Sequence, residues 1–281
     1  MIYEKNSFLN KIISDMSGSS IENPRLDTKI IISHALGCQI DKILLDTHLE
    51  ISDKQINEIN KYVNRRLNGE PVSRIIGKRE FWDLEFKINE ATLDPRHDTE
   101  TLIDTILNLV DRKEKISILD LGTGSGCILL SLLSEYKQAD GFGLDISFEA
   151  ISVAFFNAKK LGLTHRAHFF VGDWFSAITS QFDVIVSNPP YIESNYFNKL
   201  QPEVRKYDPK ESLYGGIDGL DNYRMIIPMA KKKLIKGGYL VLEIGFNQKN
   251  SVQELLLSSG FDKITCYNDL SGNFRCISAS N

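Results

Sequence analysis

The sequence predicts an α/β fold: a seven-stranded, mostly parallel sheet with an antiparallel last strand, behind a small N-terminal helical domain and a linker hairpin. Three observations predict it. From about residue 91, short apolar runs alternate with helical stretches, the pattern of a parallel sheet covered on both faces. The last two apolar runs are separated only by a turn at Gly272, too close for a helical crossover, so the final strand runs antiparallel. The first part of the chain reads instead as helices.

In the helical part, Asn23-Pro24 is a helix start with Pro24 at the first helical position, and Gly37 ends the run that reaches Leu36. Ser52 to Gln55 has capping-box spacing, and Ile56, Ile59, Val63 and Leu67 follow at helical intervals up to Gly69. Arg65-Arg66 sit near that helix's C-terminal end, where positive charge suits the dipole. From Arg79 to Asn89, Phe81, Trp82, Leu84 and Phe86 surround Asp83, which predicts two short strands and a tight turn. The predicted strands that follow are Ile116–Leu119, Gly141–Leu144, Ala167–Val171, Phe182–Val186, Gly238–Ile244, Ile264–Tyr267 and Arg275–Ser278. The predicted helices between them are Cys127–Tyr136, Phe148–Leu161, Met225–Leu234 and Val252–Ser259. The expected organisation is a helical substrate-recognition domain over 1–78, a hairpin over 79–90 and a Rossmann-like domain over 91–281.

Composition bounds the function. The chain has 281 residues, 42% hydrophobic and 25% charged, ordinary values for a globular protein. A net charge of -4 argues against a large nucleic-acid footprint. Residues 1–78 carry 11 Lys/Arg and 10 Asp/Glu, so the helical part is no basic platform. Lys231-Lys232-Lys233 is the best candidate basic patch, but it reads as a solvated helix end because Gly237-Gly238 follow closely. Cys38, Cys127, Cys266 and Cys276 form no C-x-x-C pair and suggest a reducing compartment. Met1 to Asn10 does not read as a signal peptide, and no stretch approaches the ~18 apolar residues of a membrane span. The expected location is the cytoplasm, with no membrane partner.

The run from Asp120 through Leu121, Gly122, Thr123, Gly124, Ser125 and Gly126 follows a strand and opens a helix. Glycines there let the backbone turn sharply and approach a ligand. Dinucleotide folds use G-x-G-x-x-G, whereas this spacing is G-x-G-x-G preceded by an acid. A nucleotide methyl donor has no pyrophosphate to cradle, and Asp120 can attract its cationic amino-acid end. Asp145 ends the next strand and can accept both hydrogen bonds of a ribose diol, or cap the following helix. Asp173 and Trp174 end the third strand, where an adenine would lie; Asp173 can pair with its amine and Trp174 can cover its ring, or Trp174 is simply a half-buried tryptophan.

Asn188-Pro189-Pro190-Tyr191 follows the strand ending at Val186. Successive prolines set a rigid, extended loop. The Asn188 side-chain oxygen and the Pro189 carbonyl can then receive both hydrogens of an NH2 group and aim its nitrogen at a methyl donor. A conjugated nitrogen is a poor nucleophile, and positioning can supply about 7–11 kcal/mol in favourable cases. Tyr191 can stack on a flat substrate group or face a sulfonium by cation–π attraction. The residues alone therefore predict methyl transfer to a planar amino nitrogen.

The Gly-Thr-Gly-Ser-Gly and Asn-Pro-Pro-Tyr pair resembles the class I S-adenosylmethionine-dependent amino-methyltransferases. The rest of the chain resembles the release factor glutamine (N5) methyltransferase family nearly end to end. Arg25-Leu26-Asp27, Arg65-Arg66 with Gly69-Glu70-Pro71, Ile76-Gly77 and Phe81-Trp82 carry it in the first part. Pro95-Arg96-His97-Asp98-Thr99-Glu100, the segment from Glu203 to Leu220, Gly237-Gly238, Glu243 to Gln248, and Asp269 to Arg275 carry it in the rest. One departure is His97, where the family usually has proline; it reads as a loop histidine without a special role. Thr99 is expected to cap the helix that begins near Glu100.

The resemblance implies cofactor contacts at Gly122 to Gly126, Asp145, Trp174 and Asn188, and contacts to a substrate glutamine at Asn188 to Tyr191. It implies S-adenosyl-L-methionine as cofactor, S-adenosyl-L-homocysteine as product, and peptide chain release factors as the partner gripped by the helical part. Two rival readings stand beside it. One is an N6-adenine methyltransferase acting on a flipped base of DNA or RNA. The other is a non-catalytic S-adenosylmethionine-binding interaction protein.

Overall fold

The computed structural model describes residues 5–19, 21–45, 51–176 and 178–281. Residues 1–4, at the head of the stretch read above against a signal peptide, lie outside the description. The chain divides into two compact units, residues 1–77 with 202–207, and residues 78–201 with 208–281.

The smaller unit is helical: α1 (Lys5–Ser17), α2 (Pro24–Leu36), α3 (Ile40–Leu45), α4 (Asp53–Leu67) and α5 (Val72–Ile76). Gly37 ends α2 with φ +61°, a left-handed turn that glycine adopts without a Cβ clash. Ser52 and Gln55 form the expected capping box on α4. Phe8, Ile12, Met16, Ile31, Ile32, Ile56, Ile59 and Val63 make its core. Arg66 does more than complement a helix dipole. It is buried and pairs with Asp27 at 2.7 Å and with Glu203 at 2.7 Å. Glu203 belongs to the short helix Pro202–Tyr207, so this ion pair spans 137 residues of sequence within one unit.

The larger unit opens with the hairpin β1 (Lys78–Phe81) and β2 (Leu84–Lys87). Trp82 and Asp83 both have positive φ, +50° and +55°, the geometry that suits a two-residue turn between twisted strands. A 3-10 turn at His97–Thr99 leads into α6 (Glu100–Leu109). Then come β3 (Ser117–Leu121), α7 (Cys127–Glu135), β4 (Asp140–Asp145), α8 (Phe148–Lys160), β5 (Ala167–Val171) and β6 (Phe182–Ser187). The short helix α9 (Ser194–Phe197) follows, and after α10 (Pro202–Tyr207), which belongs to the smaller unit, the chain returns to this unit in α11 (Asp221–Lys233). The chain closes with β7 (Leu234–Glu243), α12 (Lys249–Ser258), β8 (Asp262–Asn268) and β9 (Phe274–Ser280).

The strand order is β5-β4-β3-β6-β7-β9-β8, with β9 antiparallel to both neighbours and β3 through β7 parallel. Alternation along each central strand fills two cores. Ile118, Val184, Val186 and Val241 face α6 and α7, while Leu119, Leu121, Ile185, Leu240 and Leu242 face α11 and α12. The lysine run ends α11 as expected: Lys231 Nζ lies 4.8 Å from the Phe261 ring centre, and Lys233 Nζ donates to the Thr179 carbonyl at 3.3 Å. Among the described residues no helix is long and apolar enough to cross a membrane.

Candidate active site

The chain order reverses at β3, whose neighbours are β4 and β6, and ligands of open α/β sheets bind at such a point, beyond the strand carboxyl ends. A cavity of about 600 Å³ opens there. Its wall includes Gly122 to Ser125 after β3, Asp145 to Ser147 after β4, Asp173 and Trp174 after β5, and Asn188 and Pro190 after β6. Asp120, Gly126, Pro189 and Tyr191 are not in its wall.

The glycine loop spends its own donors on the protein. Gly122 and Thr123 N–H both donate to the Leu144 carbonyl, at 2.8 and 2.9 Å. Gly124 N–H donates to Asp145 Oδ2 at 2.9 Å, and Gly126 N–H to the Thr123 carbonyl at 2.8 Å. Four of the loop's N–H groups are thus taken by the protein, in keeping with a ligand that has no pyrophosphate. Gly126 has φ +79°, and a Cβ there would stand 3.1 Å from Leu130 and 3.2 Å from Ala154. Its part is to let α7 leave the loop against α8. Asp120 is buried beneath the loop, where Oδ2 accepts from the Thr123 hydroxyl at 2.6 Å. Burial pushes its carboxyl up to about 7. It therefore shapes the loop from below and does not form the cavity's surface.

Asp145 is held as a presented carboxylate: each oxygen accepts one backbone N–H, Oδ2 from Gly124 and Oδ1 from Ser147 at 2.9 Å. Capping of α8 falls to Ser147, whose hydroxyl accepts from Ala150 N–H. Asp145 keeps lone pairs free for a diol. Trp174, half-buried with φ +44°, faces Gly122, whose added Cβ would lie 3.9 Å from the indole. The cavity volume, the spent loop donors, the Asp145 carboxylate and the indole wall fit S-adenosylmethionine.

After β6 the backbone is fixed at each step. Ser187 Oγ donates to the Leu121 carbonyl at 2.7 Å, and Asn222 Nδ2 to the Pro190 carbonyl at 2.7 Å. Gln248 Nε2 donates to the Tyr191 carbonyl at 3.0 Å. Asn188 Nδ2 donates to Thr99 Oγ1 at 3.3 Å, so its oxygen is the end left for a ligand. Among the described residues the Pro189 carbonyl has no hydrogen-bond partner. Tyr191 departs from expectation. Its hydroxyl turns inward, donating to Glu243 Oε1 at 3.1 Å and accepting from Arg275 at 3.4 Å, so the ring does not stack in the cavity. Thr99 departs too: its side chain makes no cap hydrogen bond to α6. His97 is mostly exposed beside Glu100 and outside the cavity wall.

A polar network lies behind this loop. Glu243 is 2% exposed; burial pushes its carboxyl up to about 7, while Thr99, Arg275 and Tyr191 favour its charged form. Arg275 also pairs with Asp98 and Asp269, both at 3.2 Å. Residues 7–77 match the family model described as the PrmC N-terminal domain, and residues 112–243 match a methyltransferase domain model. The release factor glutamine methyltransferase of Rhodospirillum rubrum is 42% identical, over 93% of this chain and 80% of the relative. That of Caulobacter vibrioides is 39% identical, over 93% and 91%. The chain belongs to the release factor glutamine methyltransferase family.

Solved structures support the fold alone. The hMettl16 catalytic domain, solved with the MAT2A 3'UTR hairpin 6, shares 15% identity over 82% of each chain with a TM-score of 0.59. A methyltransferase from Pyrococcus furiosus shares 17% over 82% of this chain and 98% of its own, with a TM-score of 0.52.

In this family member several site residues carry no local sequence signal. Asn157, fully buried on α8, accepts from Lys87 N–H and donates to the Lys87 and Ser125 carbonyls, tying the hairpin to the glycine loop. Gln248 uses both ends of its amide: Oε1 accepts from Gly245 N–H, and Nε2 donates to Tyr191 and Gly219. Arg96, after the hairpin, pairs with buried Asp208 at 2.6 Å. Resemblance draws attention to Glu243, Gln248 and Asp208; for Asn157 nothing in the sequence distinguishes it from a surface asparagine.

Proposed function

We propose that this enzyme moves the methyl group of S-adenosylmethionine to the side-chain amide nitrogen of the glutamine in the Gly-Gly-Gln tripeptide of peptide chain release factors. The observation that carries the reading is the orientation of Asn188. With its nitrogen spent on Thr99, the amide presents an acceptor and not a donor at the cavity wall. An NH2 group is what the Asn188 oxygen would hold at that wall, and the neighbouring Pro189 carbonyl, outside the wall but unpaired among the described residues, would be the second acceptor.

When bound, the cofactor supplies an electrophilic methyl on a sulfonium. The chain's residues bind and orient. Asp145 accepts from the ribose hydroxyls, Asp173 pairs with the adenine amine, and Trp174 covers the ring. Asn188 and Pro189 hold the substrate amide so that its nitrogen faces the methyl. As the carbon–nitrogen bond forms and the methyl's bond to sulfur breaks, leaving the neutral thioether of S-adenosylhomocysteine, the nitrogen becomes positive, and the two acceptors would lie where that charge develops. The proton then leaves to water. The helical residues 1–78 grip the release factor in the cytoplasm, a role their near-neutral charge suits because a protein partner needs no phosphate platform.

The test mixes the protein with methyl-labelled S-adenosylmethionine and an unmodified release factor, and maps the label by peptide mass spectrometry. Label on the Gly-Gly-Gln glutamine, lost in Asn188→Ala while cofactor binding persists, is the expected result. Label on DNA or RNA adenine instead would leave the chemistry standing and overturn the substrate. Cofactor binding without transfer to any of these would favour a binding module.

A further inference from the structure

We propose that Thr99 is a positioning residue for methyl transfer: its hydroxyl sets which end of the Asn188 amide faces the substrate. This rests on the reading of Asn188 as an acceptor.

Thr99 stands at the start of α6, where a threonine hydroxyl would ordinarily accept from the helix's free N–H groups. Here its backbone is helical, φ -66° and ψ -20°, and no such bond forms. The side chain is 3% exposed and reaches the cavity wall. Its Oγ1 takes the Asn188 amide nitrogen at 3.3 Å. A hydroxyl that accepts there must place its single hydrogen elsewhere. Glu243, buried and interacting with Thr99, is the acceptor at hand, and its Oε2 is buried with no hydrogen-bond partner among the described residues. In its charged form, which the interaction with Thr99 favours, Glu243 takes hydrogens and gives none. It orients the Thr99 hydroxyl away from Asn188, so only the amide nitrogen of Asn188 fits against Thr99. Turned over, Asn188 would set its oxygen against the Thr99 lone pairs and its NH2 against the substrate NH2, donor to donor. β-Branching holds the hydroxyl in few rotamers, which makes the reference point stiff.

The test compares Thr99→Val, which keeps the shape and removes the hydroxyl, with Thr99→Ser, which keeps the hydroxyl. Steady-state kinetics on a release factor give kcat and KM separately, and titration calorimetry gives the Kd for S-adenosylmethionine. Thr99→Val is expected to lower kcat by roughly 10- to 100-fold, an active-site hydrogen-bond effect, with Kd unchanged. Thr99→Ser should recover most of the loss. In the Asn188→Ala background, Thr99→Val should cost nothing further, because the two residues act as one unit. A second measurement needs no substrate. The Asn188 side-chain NH2 signals, identified by their loss in Asn188→Ala, should be protected from solvent exchange in the wild type and unprotected in Thr99→Val. Equal protection in both proteins overturns the proposal, as does unchanged kcat, an additive loss with Asn188→Ala, or a loss confined to Kd. If the wild type leaves release factors unmethylated while the protection difference is present, the functional reading falls and the positioning role stands.

Discussion

Asn157 joins three parts of the larger unit, and its replacement separates hydrogen bonding from shape. The side chain is 0% exposed. It accepts from Lys87 N–H at 2.8 Å and donates to the carbonyls of Lys87 at 3.0 Å and Ser125 at 2.9 Å. Asn157→Ala strands all three backbone groups. The Ser125 bond is buried and the Lys87 bonds are partly so, which allows water some access to the strand. At ~1–3 kcal/mol for a buried unpaired group and less for the other two, the loss comes to about 2–4 kcal/mol. Asn157→Asp keeps the size and the bond from Lys87 N–H. Its second oxygen, though, meets two carbonyls where the amide offered hydrogens. Burial and those dipoles raise the new carboxyl's folded pKa above its unfolded value. The native state then holds a proton that the unfolded chain has released, so stability is lost as pH rises through that interval and regained as pH falls. Urea unfolding of the wild type and both variants at pH 5 and pH 8 measures this, with each variant read as its difference from the wild type. The Asp variant should be at least as destabilised as the Ala variant at pH 8 and recover part of the loss at pH 5. A pH-independent Asp difference, or an Ala loss under about 0.5 kcal/mol, would refute the argument, because exposed substitutions fall in that range.

Glu243 itself gives a pH signature. Its carboxyl is pushed by burial from 4.5 up to about 7, so the native state holds its proton across that window while the unfolded state does not, and wild-type stability falls as pH rises through it. Glu243→Gln, which cannot ionise, should gain on the wild type by on the order of 2–3 kcal/mol between pH 5 and pH 8 in urea unfolding, since a tenfold change in proton affinity is worth about 1.4 kcal/mol. A constant difference between the two proteins would show that Glu243 does not titrate there. Trp174→Ala should weaken S-adenosylmethionine binding by roughly 5- to 150-fold, the range that ring stacking supplies, as read by titration calorimetry. An unchanged Kd would place the adenine away from the indole.

The fold was legible because its signals are local and repeated. The alternating apolar runs placed all seven strands, and the turn at Gly272 set the direction of β9. Their ends were less legible. The apolar pattern starts the fifth strand at Gly238, whereas β7 begins at Leu234, and its pairing with β6 shifts register between Phe182 and Val184. Glycine at 237 and 238 looks like an interruption; here Gly237 N–H and the Gly238 carbonyl both bond Asn281. The helices α5, α9 and α10 are four to six residues long, too short to display a period. In the site, the residues that reach the cavity from strand ends were legible, because a β-strand end followed by Asp, Asp-Trp or Asn-Pro-Pro carries its own chemistry. Where Tyr191 points was not. Its direction is decided by Glu243 and Arg275, 52 and 84 residues away in sequence.

The two prolines explain less of the loop after β6 than their stiffness suggests. Proline fixes φ, which shapes the segment but leaves open where it sits against the sheet. Its seat comes from groups that are themselves buried. The Gln248 side chain bonds Gly245, Tyr191, Gly219 and the Tyr223 hydroxyl, so both ends of its amide are committed and a flip would break the bonds to Gly245, Tyr191 and Gly219. Gly219 and Gly215 let that packing close: a Cβ at Gly219 would stand 2.4 Å from the Tyr191 carbonyl oxygen, and one at Gly215 2.7 Å from the Tyr191 Cα. Asn222 Nδ2 donates to the Pro190 carbonyl. The loop's outer carbonyls are thus consumed by the protein, and the acceptors left over are those of Asn188 and Pro189. On the proposed reading, a substrate NH2 group would meet these acceptors because the neighbouring ones have been withdrawn from it. Selectivity for a planar amino group then resides, on that reading, as much in Gln248 and Glu243, which are buried, as in the residues that face the cavity.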